Sequence, residues 1–326
     1  MPPSTLHAPA SFVLVTGGAG FIGSHLVERL LQDGKSVVVI DDFSTGSLEN
    51  LAALRKNSRL KIVRGKISEC RDLGKLAARA EFIFHLAATV GVELVVKSAL
   101  HVLESSFHET EILLRAASAN GTPLLLTSTS EVYGKSAKPD FSEDDDLLIG
   151  PPNQSRWSYA SAKLTDEFLA LACAREKKLP VIIARLFNTV GPRQKGRYGM
   201  VLPRFIAAAK KNAPLQVFGD GKQTRCFCLV TDAVEAMVRL QNCARARGEI
   251  FNVGGTEEVS ILALAKLVVE TLGSRSKIEL IPYDQAYAPG FDDMRRRKPL
   301  VKKLERFVRF RPQTPLREII RLTAGD

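Results

Sequence analysis

The stretch from Tyr159 to Lys163 (YASAK) places a phenol and an ammonium group four residues apart. If the stretch is helical, as residues 158–168 predict, the two side chains lie on one face. A tyrosine hydroxyl is a poor base at neutral pH because its ordinary pKa is near 10. An ammonium about 5 Å away stabilises the phenolate by about 3 kcal/mol at an effective dielectric constant near 20, so we expect a lowered pKa for Tyr159. The pair therefore predicts a base that takes a proton from a hydroxyl group.

A second run, residues 128–134 (STSEVYG), gives this pair a chemical context. Alone, a tyrosine four residues ahead of a lysine is more typical of an amphipathic helix with an incidental tyrosine. The run follows a predicted buried strand, so its polar groups lie at the carboxyl edge of the sheet, where such folds bind ligands. A hydroxyl at this edge can share the substrate proton with Tyr159. The candidate groups here are Thr129, Ser130 and Glu131.

A glycine-rich turn near the N-terminus supplies a third element. Gly17, Gly20 and Gly23 follow an apolar strand and open a predicted helix. Glycine permits the tight turn and lets backbone N–H groups approach a pyrophosphate, which the helix N-terminus also favours. Asp41 lies 18 residues after Gly23, where a carboxylate bonds the ribose hydroxyls and repels the 2′-phosphate of NADP. The turn therefore predicts NAD as the cofactor, with a purely structural strand–helix turn as the alternative.

The order of apolar and amphipathic segments predicts an α/β fold. Short apolar runs alternate with helical patterns in the first half of the chain, and the predicted strands are 12–16, 37–40, 60–63, 82–84, 124–126 and 181–184. Strands that are apolar throughout are typical of a Rossmann-type, doubly wound parallel sheet with helices on both faces. Glycine and proline punctuate the second half, where helical patterns return at 232–240 and 262–272. We therefore expect a Rossmann domain at 1–187, with segments near 226–253 packing back on it, and a smaller C-terminal substrate-binding lobe at 188–326.

Composition and charge limit the kinds of protein that this chain can be. The chain has 326 residues, of which 45% are hydrophobic and 25% charged, as is usual for a globular protein. No apolar run is long enough to span a membrane, and the first ten residues lack the features of a signal peptide. Five cysteines without a Cys-x-x-Cys pair favour reduced thiols in the cytoplasm and argue against disulfides or a metal site. The net charge of +11 predicts a solvated basic surface or a polyanionic small substrate, because no nucleic-acid recognition motif accompanies it.

Taken together, these motifs resemble the extended short-chain dehydrogenase/reductase family of nucleotide-sugar enzymes, the NAD-dependent epimerases and dehydratases. The resemblance covers nearly the whole chain, from Val13 to about Leu322. It implies bound NAD, a catalytic triad of Thr129, Tyr159 and Lys163, and a homodimer formed through a helical bundle that includes the helix after Tyr159. The cofactor-binding residues that we expect are Gly17, Gly20, Phe21, Ile22, Gly23, Asp41, Ala87, Tyr159 and Lys163.

Such enzymes oxidise a sugar hydroxyl, usually at C4, and then perform different reactions. The residue type at the position of Glu131 indicates which reaction follows. Dehydratases of the family carry Asp-Glu where this chain has Ser130 and Glu131, and epimerases usually lack the acid. The runs SEVYG at 130–134 and RWSY at 156–159 resemble the UDP-glucuronic acid decarboxylases, as does the run RKP that begins at Arg297. In such an enzyme the C4 ketone is β to the C6 carboxylate, so carbon dioxide leaves as the electrons delocalise into an enolate. Glu131 and Arg297 are the candidates to orient the carboxylate or to exchange the C5 proton.

The resemblance therefore implies NAD-dependent decarboxylation of UDP-glucuronic acid to UDP-xylose or a UDP-4-keto-pentose. A UDP-sugar 4-epimerase, a nucleotide-sugar 4,6-dehydratase and a non-catalytic NAD sensor are the alternatives. For the UDP-sugar, the resemblance implies contacts from Asn188, Arg193, Arg225 and Arg297, although Arg193 also fits a structural role.

Three residues depart from the family pattern. Lys66 follows Gly65 where an aspartate usually stands near the adenine, and it also fits a phosphate-bearing cofactor. Ser106 replaces a common asparagine on the helix after the fourth strand, and Glu109 replaces a common glycine. None of the three removes a catalytic group.

Overall fold

A seven-stranded parallel sheet organises the chain in this computed structural model, which describes residue 9 and residues 11–88, 98–194, 200–282 and 294–325. Its strands, numbered in chain order, are β1 (Phe12–Thr16), β2 (Val37–Asp41), β3 (Leu60–Arg64), β4 (Ala80–His85), β5 (Leu124–Thr129), β6 (Val181–Leu186) and β11 (Ile250–Val253). They lie in the order β11-β6-β5-β4-β1-β2-β3, and their pairings are parallel. The predicted doubly wound parallel sheet is therefore confirmed.

Helices cover both faces of this sheet. The described helices are α1 (Phe21–Gln32), α2 (Leu73–Arg79), α3 (Ala99–Asn120), α4 (Trp157–Lys177), α5 (Val201–Lys210), α6 (Val230–Gln241), α7 (Ile261–Thr271), α8 (Lys302–Val308) and α9 (Leu316–Ala324). Side chains alternate along β1: Phe12 and Leu14 pack with α2, α3 and α4, whereas Val13 and Val15 pack with α1, α6 and α8. Both sets are fully buried, which explains why the strands are apolar throughout.

The second half of the chain builds a separate apolar cluster around short strands. The pairs are β7 (Thr189–Val190) with β10 (Cys228–Leu229), β8 (Leu215–Phe218) with β13 (Ile278–Ile281), and β9 (Thr224–Cys226) with β12 (Glu258–Ser260). Helices α5, α7 and α9 pack around them. The chain returns to the main sheet through α6 and β11, and again through α8, whose Leu304 lies in the main core. The second return has no signal in the sequence, and the two-lobe boundary near residue 187 stays a prediction.

Within the described ranges, every helix falls short of the length or the hydropathy that a membrane span requires.

Candidate active site

A cavity of about 840 Å³ lies along the carboxyl ends of the central strands. Its lining comes from the residues that follow β1, β2, β4, β5 and β6, and from the second half of the chain. Every catalytic, cofactor-binding and substrate-binding residue predicted from the sequence lines this cavity. The sheet brings together the residues that follow its strands, because parallel strands all end at the same edge. Tyr159 and Lys163 reach the cavity from a helix, and Arg225 and Arg297 reach it from the second half of the chain. The role of each residue stays a prediction.

The glycine turn between β1 and α1 has no room for side chains. Gly17 has a φ of +71°, and a Cβ atom there would lie 2.7 Å from the backbone nitrogen of Ala87. A Cβ atom at Gly23 would lie 2.1 Å from the carbonyl oxygen of Gly17, which accepts a hydrogen bond from the Gly20 N–H at 3.1 Å. Helix α1 begins directly afterwards at Phe21, so its N-terminus adjoins the cavity. This arrangement fits a pyrophosphate held by backbone N–H groups.

Asp41 ends β2 beside the glycine turn. Its carboxylate accepts hydrogen bonds from the N–H groups of Ala19 and Phe43, both at 2.8 Å. Burial raises the pKa of the Asp41 carboxyl group, although the two donors act in the opposite direction. The carboxylate therefore lies next to the turn, as the ribose contact of a dinucleotide requires. Together, the turn, the helix N-terminus and Asp41 fit NAD.

Replacing Gly23 by alanine tests this cradle. We expect Gly23→Ala to weaken NAD binding by roughly tenfold or more, about 1.4 kcal/mol, because the turn must shift to admit the Cβ atom and its N–H groups would no longer match the pyrophosphate. Isothermal titration of the purified protein with NAD measures the effect. Gly74→Ala is the matched control, since no atom lies within 4 Å of a Cβ atom at that position. An unchanged affinity in Gly23→Ala would show that the cofactor does not approach this turn.

Tyr159 and Lys163 both lie on α4, and both line the cavity. The predicted helical spacing is present, but the ammonium of Lys163 donates to the Asp166 carboxylate at 2.9 Å. Burial, followed by the negative charges of Glu131 and Asp166, raises the pKa of the Tyr159 hydroxyl. The expected lowering of this pKa is therefore wrong, because burial of the hydroxyl and, after it, the negative charges of Glu131 and Asp166 disfavour the phenolate.

The turn after β5 places the other proton-transfer candidates opposite α4. Thr129 ends the strand, and its hydroxyl accepts a hydrogen bond from the Glu131 N–H at 3.3 Å. Ser130 is buried, and all three residues line the cavity with Tyr159. The guanidinium of Arg297 lies 3.4 Å from the Glu131 carboxylate, although 166 positions separate the two in sequence. The fold thus pairs the two residues that the sequence singled out for decarboxylation.

Asn188 and Arg225, the predicted substrate contacts, both line the cavity. The Asn188 amide donates to the Cys226 carbonyl oxygen at 2.7 Å, and its φ of +30° marks a sharp change of chain direction after β6. Arg225 is buried, and its guanidinium donates to the Thr224 carbonyl oxygen at 2.8 Å. The bond from Asn188 therefore ties the residues after β6 to β9, the strand that carries Arg225.

Arg193 lines the cavity, but its contacts lie on α1. Its guanidinium forms an ion pair with Glu28 and lies 3.3 Å from the Ser24 hydroxyl. These contacts support the structural role that the sequence left open, and the substrate contact of Arg193 stays a prediction.

The departures from the family pattern also border the cavity. Lys66, Ser106 and Glu109 all line it. The Glu109 carboxylate accepts hydrogen bonds from the Ser68 N–H at 3.0 Å and from the Ser68 hydroxyl at 2.6 Å. Glu109 therefore ties α3 to the loop that carries Lys66.

Sequence reasoning missed several residues that line or border the cavity. Arg204 on α5 lies over the Phe218 ring at 4.0 Å, and both line the cavity. Arg156 also lines it and lies over the Trp157 ring at 5.3 Å. The RWSY run gave a signal for Arg156, but only the fold brings α5 to the site. Asp166 was missed because a carboxylate three residues after a lysine is common on exposed helices.

Comparison with known proteins places this site in a family. The model of the NAD dependent epimerase/dehydratase family matches residues 13–254. The chain is 42% identical over 300 residues to the UDP-N-acetyl-alpha-D-glucosaminuronate decarboxylase of Bacillus cytotoxicus, covering 92% of each protein. It is 35% identical over 324 residues to UDP-glucuronic acid decarboxylase 4 of Arabidopsis thaliana, covering 96% of this chain and 68% of that protein. Among solved structures, UDP-glucuronic acid 4-epimerase from Bacillus cereus in complex with UDP-glucuronic acid and NAD superposes with a TM-score of 0.85 at 29% identity, covering 96% of this chain and 98% of the other.

Proposed function

The chain belongs to the NAD-dependent epimerase/dehydratase family, and from that premise we propose that it decarboxylates a UDP-linked uronic acid. The substrate we propose is UDP-glucuronic acid, and the product is UDP-xylose or a UDP-4-keto-pentose. The Bacillus cytotoxicus and Arabidopsis relatives described above are decarboxylases by name, in agreement with the reaction predicted from the sequence. The cofactor of the family is NAD, as the glycine turn and Asp41 predict.

The first step in this proposal is a proton transfer at the C4 hydroxyl. Tyr159 takes the proton as the base, and the Thr129 hydroxyl at the end of β5 shares the hydrogen bond to the substrate oxygen. The Lys163 ammonium stabilises the resulting charge on the tyrosine oxygen. NAD, when bound, accepts the hydride from C4. Asn188 and Arg225 hold the nucleotide and its phosphates at the other end of the cavity.

The second step is the loss of carbon dioxide, and one observation carries it: the Glu131–Arg297 pair beside Tyr159. The C4 ketone lies β to the C6 carboxylate, so the C5–C6 bond breaks and its electron pair forms an enolate. Arg297 binds the departing carboxylate as a cation, and Glu131 orients Arg297 and, when protonated, supplies the proton that C5 of the enolate gains, which gives the UDP-4-keto-pentose. UDP-xylose would form if the reduced cofactor returned its hydride to C4 and Tyr159 returned the proton to the C4 oxygen. An epimerase needs neither group, because it only returns hydride to the other face of the ketone.

UDP-N-acetylglucosaminuronic acid is the second candidate substrate. The Bacillus cytotoxicus relative named for that substrate shares 42% identity with the chain, against 35% for the Arabidopsis UDP-glucuronic acid decarboxylase. The two acids differ at C2, away from the atoms that react. The same residues therefore serve either substrate, and only a direct comparison separates them.

Incubation of the purified protein with NAD and each acid in turn tests the proposal. We expect release of carbon dioxide and a UDP-pentose, or its 4-keto form, detected by mass spectrometry. The ratio of kcat/KM values for the two acids identifies the substrate. Appearance of UDP-galacturonic acid without carbon dioxide would favour the epimerase alternative, and inactivity with both acids would overturn the proposal.

We also propose a homodimer formed through α3 and α4, which pack against each other. Four of the eight large apolar side chains that are exposed in the described part of the chain lie on these helices, namely Leu100, Leu103, Phe107 and Phe168. Those on α3 recur every three or four residues and so share one face. Phe168 is 63% exposed on the neighbouring helix. An apolar surface of this kind suits a self-complementary contact with a second copy.

Phe168→Glu tests the dimer. We expect this substitution to convert the protein to a monomer, because a carboxylate would be buried twice across a symmetric contact. Light scattering coupled to size-exclusion chromatography measures the mass. Leu280→Glu is the matched control, since Leu280 is also exposed, at 56%, but lies on β13. A parent protein that already elutes as a monomer would refute the proposal.

We further propose a cytoplasmic location, supported by the five cysteines, all of which are free thiols.

A further inference from the structure

The side chain of Lys163 lies in a buried polar network that reaches from α4 to α3. Its Nζ atom is 2.9 Å from Oδ2 of Asp166, and the Ser106 hydroxyl donates to the same oxygen at 2.9 Å. Asp166 is fully buried, and Lys163 is only 2% exposed. The network thus places a carboxylate directly behind the ammonium that acts on Tyr159.

Folding stability does not explain this carboxylate. Burying a carboxylate is costly unless hydrogen bonds satisfy both of its oxygen atoms. Oδ1 of Asp166 is buried and has no hydrogen-bond partner among the described residues. Replacing a whole buried ion pair by apolar side chains is commonly neutral or stabilising, whereas removing Asp166 alone would leave the buried Lys163 ammonium without this partner. An incompletely bonded buried acid beside a reactive group is typical of a functional site.

The titratable groups that face this network from other elements are either neutral or paired with another residue. His85 on β4 bonds to two threonine hydroxyls, and burial, followed by the charge of Lys163, lowers its pKa to about 3, so it is neutral. Glu131, in the turn after β5, is paired with Arg297.

The other acidic side chains near this network also have partners of their own. Glu167 on α4 is paired with Arg185 of β6 and also accepts a hydrogen bond from the Ser128 hydroxyl. On α3, Ser106 carries no charge, and the Glu109 carboxylate is bonded to Ser68. Asp166 is therefore the carboxylate that acts directly on Lys163.

We propose that Asp166 is a positioning residue for the proton transfer: its carboxylate, which also accepts a hydrogen bond from the Ser106 hydroxyl, holds the Lys163 ammonium in place and offsets part of its charge. This inference rests on the proposed role of Tyr159 as the base. With its charge partly offset by Asp166, Lys163 stabilises the Tyr159 phenolate less than an ammonium without a carboxylate partner would.

The pH dependence of kcat/KM tests the role of Asp166. A base must be deprotonated to act, so activity falls as the pH drops below the pKa of Tyr159, and this fall forms the acid limb of the profile. Removing the negative charge of Asp166 favours the phenolate. We expect Asp166→Asn, which keeps the shape of the side chain, to move the acid limb to lower pH by about one pH unit. A purely structural role for Asp166 would leave the limb in place.

Glu176→Gln is the matched control, because Glu176 is an exposed carboxylate on the same helix. The acid limb of the pH profile of Glu176→Gln should coincide with that of the parent protein. An Asp166→Asn limb that stays in place or moves to higher pH would overturn the inference. Asp166→Ala provides a second variant with the same expected direction, and if neither variant folds, Asp166 serves stability and the inference is wrong.

A spectroscopic titration separates this inference from the proposed function. Phenolate absorbance, recorded against pH without NAD, should develop at lower pH in Asp166→Asn than in the parent. The difference should vanish when Tyr159→Phe is added to both proteins. Turnover by Tyr159→Phe would refute the proposed chemistry, whereas an inactive Tyr159→Phe combined with an unshifted Asp166→Asn refutes the role of Asp166 alone.

Discussion

Tyr159→Phe is expected to lower turnover of UDP-glucuronic acid by roughly 10²–10⁴-fold, the range typical of losing a general base. The substitution removes the hydroxyl that takes the C4 proton and keeps the ring in the cavity wall. NAD affinity should change little, because the glycine turn and Asp41 are untouched. Steady-state release of carbon dioxide and isothermal titration with NAD measure the two quantities separately.

Tyr133→Phe is the matched control for this prediction. The Tyr133 hydroxyl is buried, donates to Asn252 at 2.7 Å and accepts from Arg185 at 3.0 Å. Its loss should cost about 1–3 kcal/mol of stability and leave kcat nearly unchanged, because the residue does not line the cavity. Tyr159→Phe should therefore lower turnover, whereas Tyr133→Phe should lower stability and leave kcat nearly unchanged. A Tyr159→Phe protein that keeps a tenth or more of the parent's kcat would exclude Tyr159 as the base.

Glu131→Gln is expected to uncouple oxidation from decarboxylation. The amide keeps the shape of the side chain but loses the charge that orients Arg297 at 3.4 Å and the capacity to exchange a proton. Carbon dioxide release should fall roughly 10²-fold or more, as for the loss of an acid–base group. Oxidation at C4 depends on Tyr159 and Thr129, so NADH should still form. Stopped-flow absorbance of NADH and a parallel assay of released carbon dioxide distinguish the two steps.

Asp140→Asn is the control for Glu131→Gln. Asp140 lies 3.1 Å from Lys298, the residue that follows Arg297, but neither Asp140 nor Lys298 lines the cavity. Both substitutions remove the acidic partner of a cation in the same basic run. Carbon dioxide release by Asp140→Asn should stay close to that of the parent. Equal losses in the two variants would show that the run matters for folding rather than for the second step.

Much of the architecture could be predicted from local pattern. The predicted runs agree with β1 and β2 because the interior positions of these strands, buried on both faces, are apolar and their polar residues stand only at the carboxyl ends. The predicted ends of two other strands were less accurate: β4 begins at Ala80 and β5 continues to Thr129, beyond the predicted runs. The sequence gives no local signal that α8 returns to the main core. An amphipathic helix of seven residues could pack equally well on the main sheet or on the second apolar cluster.

The chemical groups of the site, and the edge of the sheet where they meet, could be predicted from residue types and their spacing. Residues that follow parallel strands converge at one edge in any such fold, so the glycine turn, Asp41 and the turn after β5 could be assigned from spacing alone. The electrostatic state of those groups depends on packing. The pKa of Tyr159 depends on its burial and on the charges of Glu131 and Asp166. The fold brings Glu131 to this helix, pairs it with the distant Arg297, and places Ser106 of α3 against Asp166. A pKa depends on burial and on distances between atoms remote in sequence, and these distances are set by packing.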